Sequence, residues 1–286
     1  MPGSLFVVAT PIGNLEDLTF RALRTLREAD LIAAEDTRRT SKLLAHYEIR
    51  KPLISLHEHN ETRESPKLVS RMLAGESIAL VTDAGTPGIA DPGAALVRSA
   101  RAAGLKIVPI PGPSAVVTAM SVAGAEVPEF SFFGFPPVKG SERTRWFERL
   151  ATTDHPAVFF EAPHRIERTL GECRELLVKR HILVTRELTK INEELVFKPI
   201  NESLSDINNI GEFCVVVIPD HKQNKDRTDI SSIQDQALDL FESIAASPLI
   251  SMDLALELTA LKLDLSVTDA KKAIKKAKIL AKQQNK

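Results

Sequence analysis

The chain has 286 residues, 43% of them apolar and 26% charged, with a formal net charge of -1. That length suggests two or three domains with a substantial core, and the near-neutral balance excludes a global attraction to polyanions, so any nucleic-acid contact must come from a local patch. Cys173 and Cys214 lie far apart without CxxC spacing, which supports neither a disulfide framework nor a zinc site and fits a reducing cytoplasm. No apolar run approaches the roughly 20 residues that span a bilayer. The amino terminus MPGSLFVVATPIG reads as a first strand and not as a signal.

In chain order, residues 4–112 alternate between strand-like and helix-like segments. Strands are expected at 5–9, 31–35, 78–82 and 106–110, and helices at 18–28, 65–74 and 92–103. Such alternation implies a mostly parallel sheet with helices on its faces. A small helix at 114–124 leads to five further strands, at 130–134, 157–161, 182–186, 194–198 and 213–218, enough for a second sheet. The expected division is an α/β domain over 1–115, a second over 116–220, a polar linker over 221–230 and a helical module over 231–286. The module holds helices near 231–247, 251–263 and 267–283. Ser266 and Asp269 have the spacing of a capping box with Asp in place of Glu or Gln. The last helix carries Lys271, Lys272, Lys275, Lys276, Lys278 and Lys282. These lysines read either as a solvated face or as part of a small helix-turn-helix module.

Two loops interrupt this pattern. At 80–93, LVTDAGTPGIADPG, an apolar run ends in three glycines and two prolines, and IPGPSA at 110–115 repeats the device about one βα unit later. Gly85, Gly88 and Gly93 permit cramped backbone, Pro87 and Pro92 stiffen it, and Asp83 and Thr86 add polar groups where the strand stops. Ligands in open α/β sheets sit beyond the carboxyl ends of strands, so two such loops at neighbouring strand ends predict one shared pocket.

Familiar templates fail. ATPIGN at 9–14 has neither GxGxxG nor a Walker lysine. In HEHNE at 57–61 the histidines are two apart and lack a third ligand, so no metal is expected. Ser114 sits in GPS and not in GxSxG, which disfavours a serine hydrolase. Four polar clusters remain near apparent strand ends: AEDTRRT at 34–40, HEHNE, EAPHR at 161–165, and TRELTK with its downstream EE at 185–194. Singly each reads as an ordinary strand-to-helix junction. Together they mark one charged rim.

The strings VVATPIGNLEDLTFRA, AEDTRRT, VTDAGTPGIADPG, IPGPSA, FFEAPHR and VTRELTK resemble the tetrapyrrole methylase superfamily, and within it the S-adenosylmethionine-dependent cytidine 2'-O-methyltransferases of small-subunit (16S) ribosomal RNA. The resemblance covers about residues 4–220, and the helical module is similar to an appendage of that family. TPIGN stands where the tetrapyrrole enzymes carry a glycine-rich GxGPG-type loop, which argues for the RNA branch. The resemblance implies two α/β domains with S-adenosylmethionine in the cleft between them, a cytoplasmic homodimer, and 16S rRNA within the small ribosomal subunit as partner. Carried over by position, the donor would meet Pro11, Asp83, Ala84, Gly85, Thr86, Ile89, Ser114, Ala115, Phe160, Glu161 and Leu188.

Methyl transfer from a sulfonium needs positioning and exclusion of water more than covalent catalysis, although a weakly nucleophilic ribose hydroxyl gains from a base within reach. Glu35, Asp36, His57, Glu58, Glu187 and Lys190 have suitable chemistry, with Glu35 or Glu58 expected as the proton acceptor. Arg38, Arg39, His164 and Arg165, with Lys271, Lys272 and Lys275, are expected to meet RNA. Two other readings compete. A small-molecule, tetrapyrrole-like methyltransferase would share the donor site but survive loss of 231–286. A non-catalytic RNA-binding protein would bind no donor.

Overall fold

The computed structural model describes residues 1–125, 129–177, 180–202, 207–219, 230–245, 251–263 and 265–284. Short runs rich in Val, Ile, Leu and Ala build a parallel sheet from β1 (Ser4–Val8), β2 (Leu31–Ala34), β3 (Leu53–Ser55), β4 (Ile78–Val81) and β5 (Lys106–Ile110), in spatial order β3-β2-β4-β1-β5. Every residue of β2 and β4 is buried, so neither strand alternates apolar with polar, as befits strands covered on both faces.

The helices α1 (Phe20–Glu28) and α2 (Thr37–His46) cover one face, where Leu26 and Leu44 pack with Val8, Ile32 and Val81. The helices α3 (Glu61–Leu73) and α4 (Ala94–Ala102) cover the other, where Leu68, Met72, Leu96 and Ala100 pack with Leu5, Ala33 and Leu80. Polar residues start the first two helices: Thr19 Oγ1 accepts from the Ala22 N–H at 3.1 Å, and Asp36 Oδ1 from the Arg38 N–H at 2.8 Å. Because β1 feeds a helix on one face and its neighbour β4 feeds one on the other, their carboxyl ends diverge and open a crevice at the topological switch point.

From α5 (Ala115–Ser121) the chain enters a second sheet. It contains β6 (Ser131–Phe132), β7 (Ala157–Glu161), β8 (His181–Arg186), β9 (Glu194–Pro199) and β10 (Phe213–Ile218), ordered β6-β7-β10-β8-β9. Only the β6–β7 pair is parallel. Between strands run α6 (Gly140–Thr152) and α7 (Ile166–Leu176). The two-residue period sorts side chains between faces. Phe159, Val184, Val215 and Val217 join Trp146, Phe147 and Leu170 under α6 and α7. Val158, Leu183, Cys214 and Val216 join Val116 and Ala119 of α5. The second group also takes in Ile12 and Ala84 from the ends of β1 and β4, so the two sheets share one apolar junction at the crevice.

Met1–Pro219 forms one compact unit and Asp220–Lys286 another. The second contains α8 (Ile230–Ala245), α9 (Met252–Lys262) and α10 (Val267–Gln284), packed through Ala237, Phe241, Ala255, Ala273 and Ile274. Among the described residues no helix is long and apolar enough to cross a membrane. Ser266 caps α10, its Oγ accepting from the Asp269 N–H at 3.1 Å and donating to Asp269 Oδ2 at 2.6 Å.

Several details depart from the sequence expectation: of the strand expected at 130–134 only Ser131–Phe132 forms, and the helix expected at 65–74 begins at Glu61. Residues 221–229 of the linker lie outside the described residues, but Ile230 belongs to a helix. The helix α2 was hidden by the polar run TRRTSK at its start, and only Thr40 and Leu44 are buried in the whole element. Strand β3 is three residues long and half-buried throughout, too short for a period to show.

Gly93, where β4's loop enters α4, has φ +119°, and an added Cβ would lie 2.7 Å from Leu80 Cδ2. The variant Gly93→Ala is expected to cost about 2 kcal/mol through backbone strain, lowering the melting midpoint by roughly 4–8 °C. A calorimetric midpoint within 1 °C of the parent, on the order of experimental scatter, contradicts it.

Candidate active site

The loops after β1 and β4 are tied by a pair of backbone hydrogen bonds. Thr10 N–H donates to Gly85 O at 2.9 Å and Gly85 N–H to Thr10 O at 3.0 Å, with Gly85 at φ +77°. Beyond this tie lies a cavity of about 360 Å³, walled by the β4 loop, the start of α5, the end of β7 and the loops flanking β8 and β10. Ala84, Gly85, Thr86, Ile89, Ser114, Ala115, Phe160, Glu161 and Leu188 all line it. Pro11 and Asp83 do not. They line an adjoining cavity of about 310 Å³, which shares Ile12, Ala84 and Glu212 with the first.

Phe160 projects toward the junction, its ring 4.9 Å from that of Phe132 and 5.5 Å from that of Phe135. Glu161, next along the strand, points the other way. Its carboxylate is fully buried against α7, where Oε1 accepts from the Ala162 N–H at 2.7 Å and from Arg165 Nη2 at 2.6 Å, and Oε2 from Thr169 Oγ1 at 2.7 Å. Arg165 also donates to Pro136 O at 3.2 Å and is mostly buried. The expectation that Arg165 meets RNA phosphate is therefore corrected. Its guanidinium neutralises Glu161 and secures the end of β7, because a buried carboxylate needs a paired charge.

The ionisable group that the sequence expectation overlooked is Asp91. It lines the larger cavity, and its pKa is pushed up to about 7 by burial first, then by the negative charges of Glu35 and Asp83, while the Thr82 hydroxyl beside it works in the opposite direction. Glu35 is also raised, chiefly by burial, although its Oε2 accepts from the Asp83 N–H at 3.2 Å. Glu35 lines neither cavity. Glu58 stands exposed in the turn before α3, also outside both walls. Of the three carboxyls, only Asp91 lines the large cavity. Its signal was in the same Gly-Pro loop, as the second Asp of TDAGTPGIADPG, but proximity of that residue to the first loop depends on the β1–β4 pairing.

The rim is basic on α2. Arg38 is 88% exposed and pairs in bidentate fashion with Asp36, holding that carboxyl well below its ordinary value through the side-chain hydrogen bonds. Arg39 lies 3.4 Å from Asp83. His164 is exposed; separately, in the helical unit, Lys271, Lys272 and Lys275 of α10 are exposed. Across the crevice, the Asn14 N–H donates to Thr189 Oγ1 at 3.0 Å, and Lys190 Nζ bridges Glu187 at 2.8 Å and Glu212 at 2.9 Å. This latch joins the first loop to the loop after β8. Glu212, Phe213 and Cys214 complete the wall of the large cavity, a contribution for which the sequence offered no anchored motif. Among the described residues no cluster of His, Cys, Asp or Glu has the make-up of a metal site.

A family model described as Tetrapyrrole (Corrin/Porphyrin) Methylases matches residues 4–203. The chain belongs to this family. Ribosomal RNA small subunit methyltransferase I of Halalkalibacterium halodurans is 46% identical over 218 residues, 75% of each chain. The protein of that name from Pseudomonas aeruginosa is 40% identical over 269 residues, 92% of this chain and 95% of its own. Among solved structures, diphthine synthase aligns with a TM-score of 0.60 at 16% identity, over 76% of this chain and 90% of its own. Uroporphyrin-III-C-methyltransferase from Thermus thermophilus aligns with a TM-score of 0.51 at 18% identity, over 76% and 94%. At those identities the structural matches establish the tetrapyrrole-methylase fold and nothing about substrate.

Within this methylase fold, Asp91 links stability to pH. Its folded-state pKa lies above the unfolded value, so between 3.8 and about 7 the folded chain holds the extra proton and stability falls as pH rises through that window. Asp91→Asn removes the buried negative charge. Its melting midpoint should exceed the parent's above pH 7 and lose the advantage as pH falls toward 4, the ordinary Asp range; equal midpoints at every pH would place the Asp91 carboxyl in water.

Proposed function

We propose that this chain transfers a methyl group from S-adenosylmethionine to the ribose 2'-hydroxyl of a cytidine in 16S rRNA of the small ribosomal subunit. The observation that carries the reading is a carboxyl of near-neutral pKa, Asp91, in the wall of a largely apolar cavity at the switch point of a methylase fold. The printed names of relatives at 40–46% identity supply the substrate class and favour it over a small tetrapyrrole-like acceptor. A cytoplasmic homodimer acting on the assembled subunit belongs to the same reading.

The larger cavity fits the donor. Its volume falls in the range of small-ligand pockets, and its walls are apolar and aromatic with few polar groups, as an adenosyl group and a thioether chain require. Ala84, Gly85, Thr86, Ile89, Ser114, Ala115, Phe160 and Leu188 would hold it, with Glu161 fixing the end of β7 behind Phe160. Bound there, the donor supplies a methyl carbon already activated by a sulfonium leaving group. The protein then has to orient the acceptor oxygen, exclude water and receive one proton.

Asp91 is the proton acceptor in this reading. A carboxylate oxygen of Asp91 takes the proton of the attacking hydroxyl, and a pKa near the working pH makes it a better base than an ordinary aspartate. Glu35 and Asp83 act through their charge, keeping that pKa raised. Arg38, Arg39 and His164 on the rim, with Lys271, Lys272 and Lys275 in the helical unit, supply phosphate contacts, and binding through several of them weakens steeply with salt.

The test is transfer of labelled methyl from S-adenosylmethionine to purified small subunits from cells lacking this protein. Label should appear at the ribose of one cytidine, with a rate that rises through pH 6 and levels off above about 7. Asp91→Asn should lower turnover by about 10²–10⁴-fold and leave donor affinity within about two-fold. Donor binding with no labelled RNA would move the reading to a small acceptor.

A further inference from the structure

Apart from Pro11, Asp83 and Ala84, the smaller cavity is lined by residues not assigned to the donor. It runs alongside the larger one, sharing Ile12, Ala84 and Glu212, so an occupant of one abuts an occupant of the other. Its chemistry differs. Where the donor cavity is apolar, this one presents two buried threonines, Thr10 and Thr82, with Asp83 above them and Arg39, Lys42 and Lys190 around its mouth. Thr10 is satisfied, donating to Thr82 O at 3.1 Å. Thr82 is 2% exposed, and its Oγ1 has no partner at full hydrogen-bond distance, although the Asp91 carboxyl stands beside it. An unpaired buried hydroxyl is costly, and the usual explanation is a ligand or water that completes it.

The cations divide by availability. Lys190 is neutralised by Glu187 and Glu212, and Arg39 leans on Asp83. Lys42 is exposed and has no ion pair among the described residues, so its charge is open to an anion at the mouth. A volume of about 310 Å³ suits one nucleotide and no helix or stacked strand. Enzymes that act on one nucleotide of a structured nucleic acid commonly take it out of the stack into such a pocket. The Asp83 carboxylate accepts from the Asp36 N–H at 3.0 Å and retains free lone pairs. A carboxylate can accept from the exocyclic amino group of cytosine, whereas uracil would set a carbonyl oxygen against it.

We infer that this second cavity is the acceptor pocket, binding a single cytidine extruded from its stack, with Asp83 and Thr82 reading the base edge and Lys42 meeting a flanking phosphate. The inference rests on the RNA methyltransferase reading and adds where the nucleotide enters and what selects it. Donor and acceptor then occupy separate, touching cavities, with Asp91 lining the first beside Thr82 of the second.

The test uses full-length protein saturated with S-adenosylhomocysteine and titrated with labelled cytidine, uridine and adenosine 5'-monophosphates in equilibrium dialysis. Leu43→Trp fills the cavity from α2, and Thr82→Val removes the hydroxyl without changing shape. Cytidine monophosphate should bind at least about ten-fold more tightly than the uridine compound. Leu43→Trp should abolish that binding and methyl transfer to subunits while donor affinity stays within about two-fold, and Thr82→Val should weaken nucleotide binding by about five-fold or more. Equal affinity for the two pyrimidine nucleotides, or undiminished binding by both variants, overturns the assignment. If Leu43→Trp does not fold, Thr82→Val and Lys42→Ala decide in its place. Should the parent bind cytidine monophosphate in this way yet methylate no RNA, the pocket stands and the proposed reaction falls; should both variants methylate subunits normally, the reaction stands and the pocket falls.

Discussion

Two backbone hydrogen bonds between Thr10 and Gly85 set the terms for everything around the crevice. They hold the loops leaving β1 and β4 side by side at the point where the two strands send their helices to opposite faces. Without that tie each loop would follow its own helix away from the other. Gly85 makes the pairing possible, because its φ of +77° is one that a residue with a side chain resists. On one side of the tie the loops wall the apolar cavity, and on the other the polar one. Ile12 and Ala84, within two residues of the tied pair, turn into the core of the second sheet, so the same constraint docks the two sheets.

The electrostatics follow from that geometry. Glu35 follows β2, Asp83 lies just beyond β4, and Asp91 returns along the same loop, so three carboxyls converge at the carboxyl edge of a parallel sheet. Their mutual repulsion and burial would be pure cost in a structural core. In a cavity they raise the proton affinity of the most buried member. The positive charges nearby do not cancel this effect: Arg38 lies against Asp36 and Arg39 near Asp83, both still largely exposed, and Arg165 pairs with Glu161 on the far face of β7. Asp91 is left as the carboxyl without a cation among its principal neighbours.

The second sheet contributes by its pleat. Residues of β7 alternate between the cavity junction and the helices α6 and α7, so Phe160 and Glu161 serve opposite sides although they are adjacent in sequence. The string FFEAPHR contains both functions, and no feature of composition separates them. Only the strand's register against β10 shows that Phe160 pairs with Cys214 and Glu161 with Phe213, which assigns each side chain to its face.

The sequence by itself determined the elements whose signal is local. The buried strands announce themselves as apolar runs, the capping residue Ser266 stands where a helix begins, and the Gly-Pro loops mark the strand ends that wall the large cavity. Local signals are legible because they depend on neighbours within a few residues. The polar helix α2 and the short strand β3 gave too little of that signal, since their identity comes from packing on a sheet built elsewhere. Charge roles were decided only by the tertiary structure. Whether Arg165 faces solvent or a buried Glu161, and whether Glu35, Glu58 or Asp91 meets the cavity, depends on burial and on distances between residues far apart in the chain. Burial and distance are what set a carboxyl's proton affinity, and neither exists until the two sheets have met.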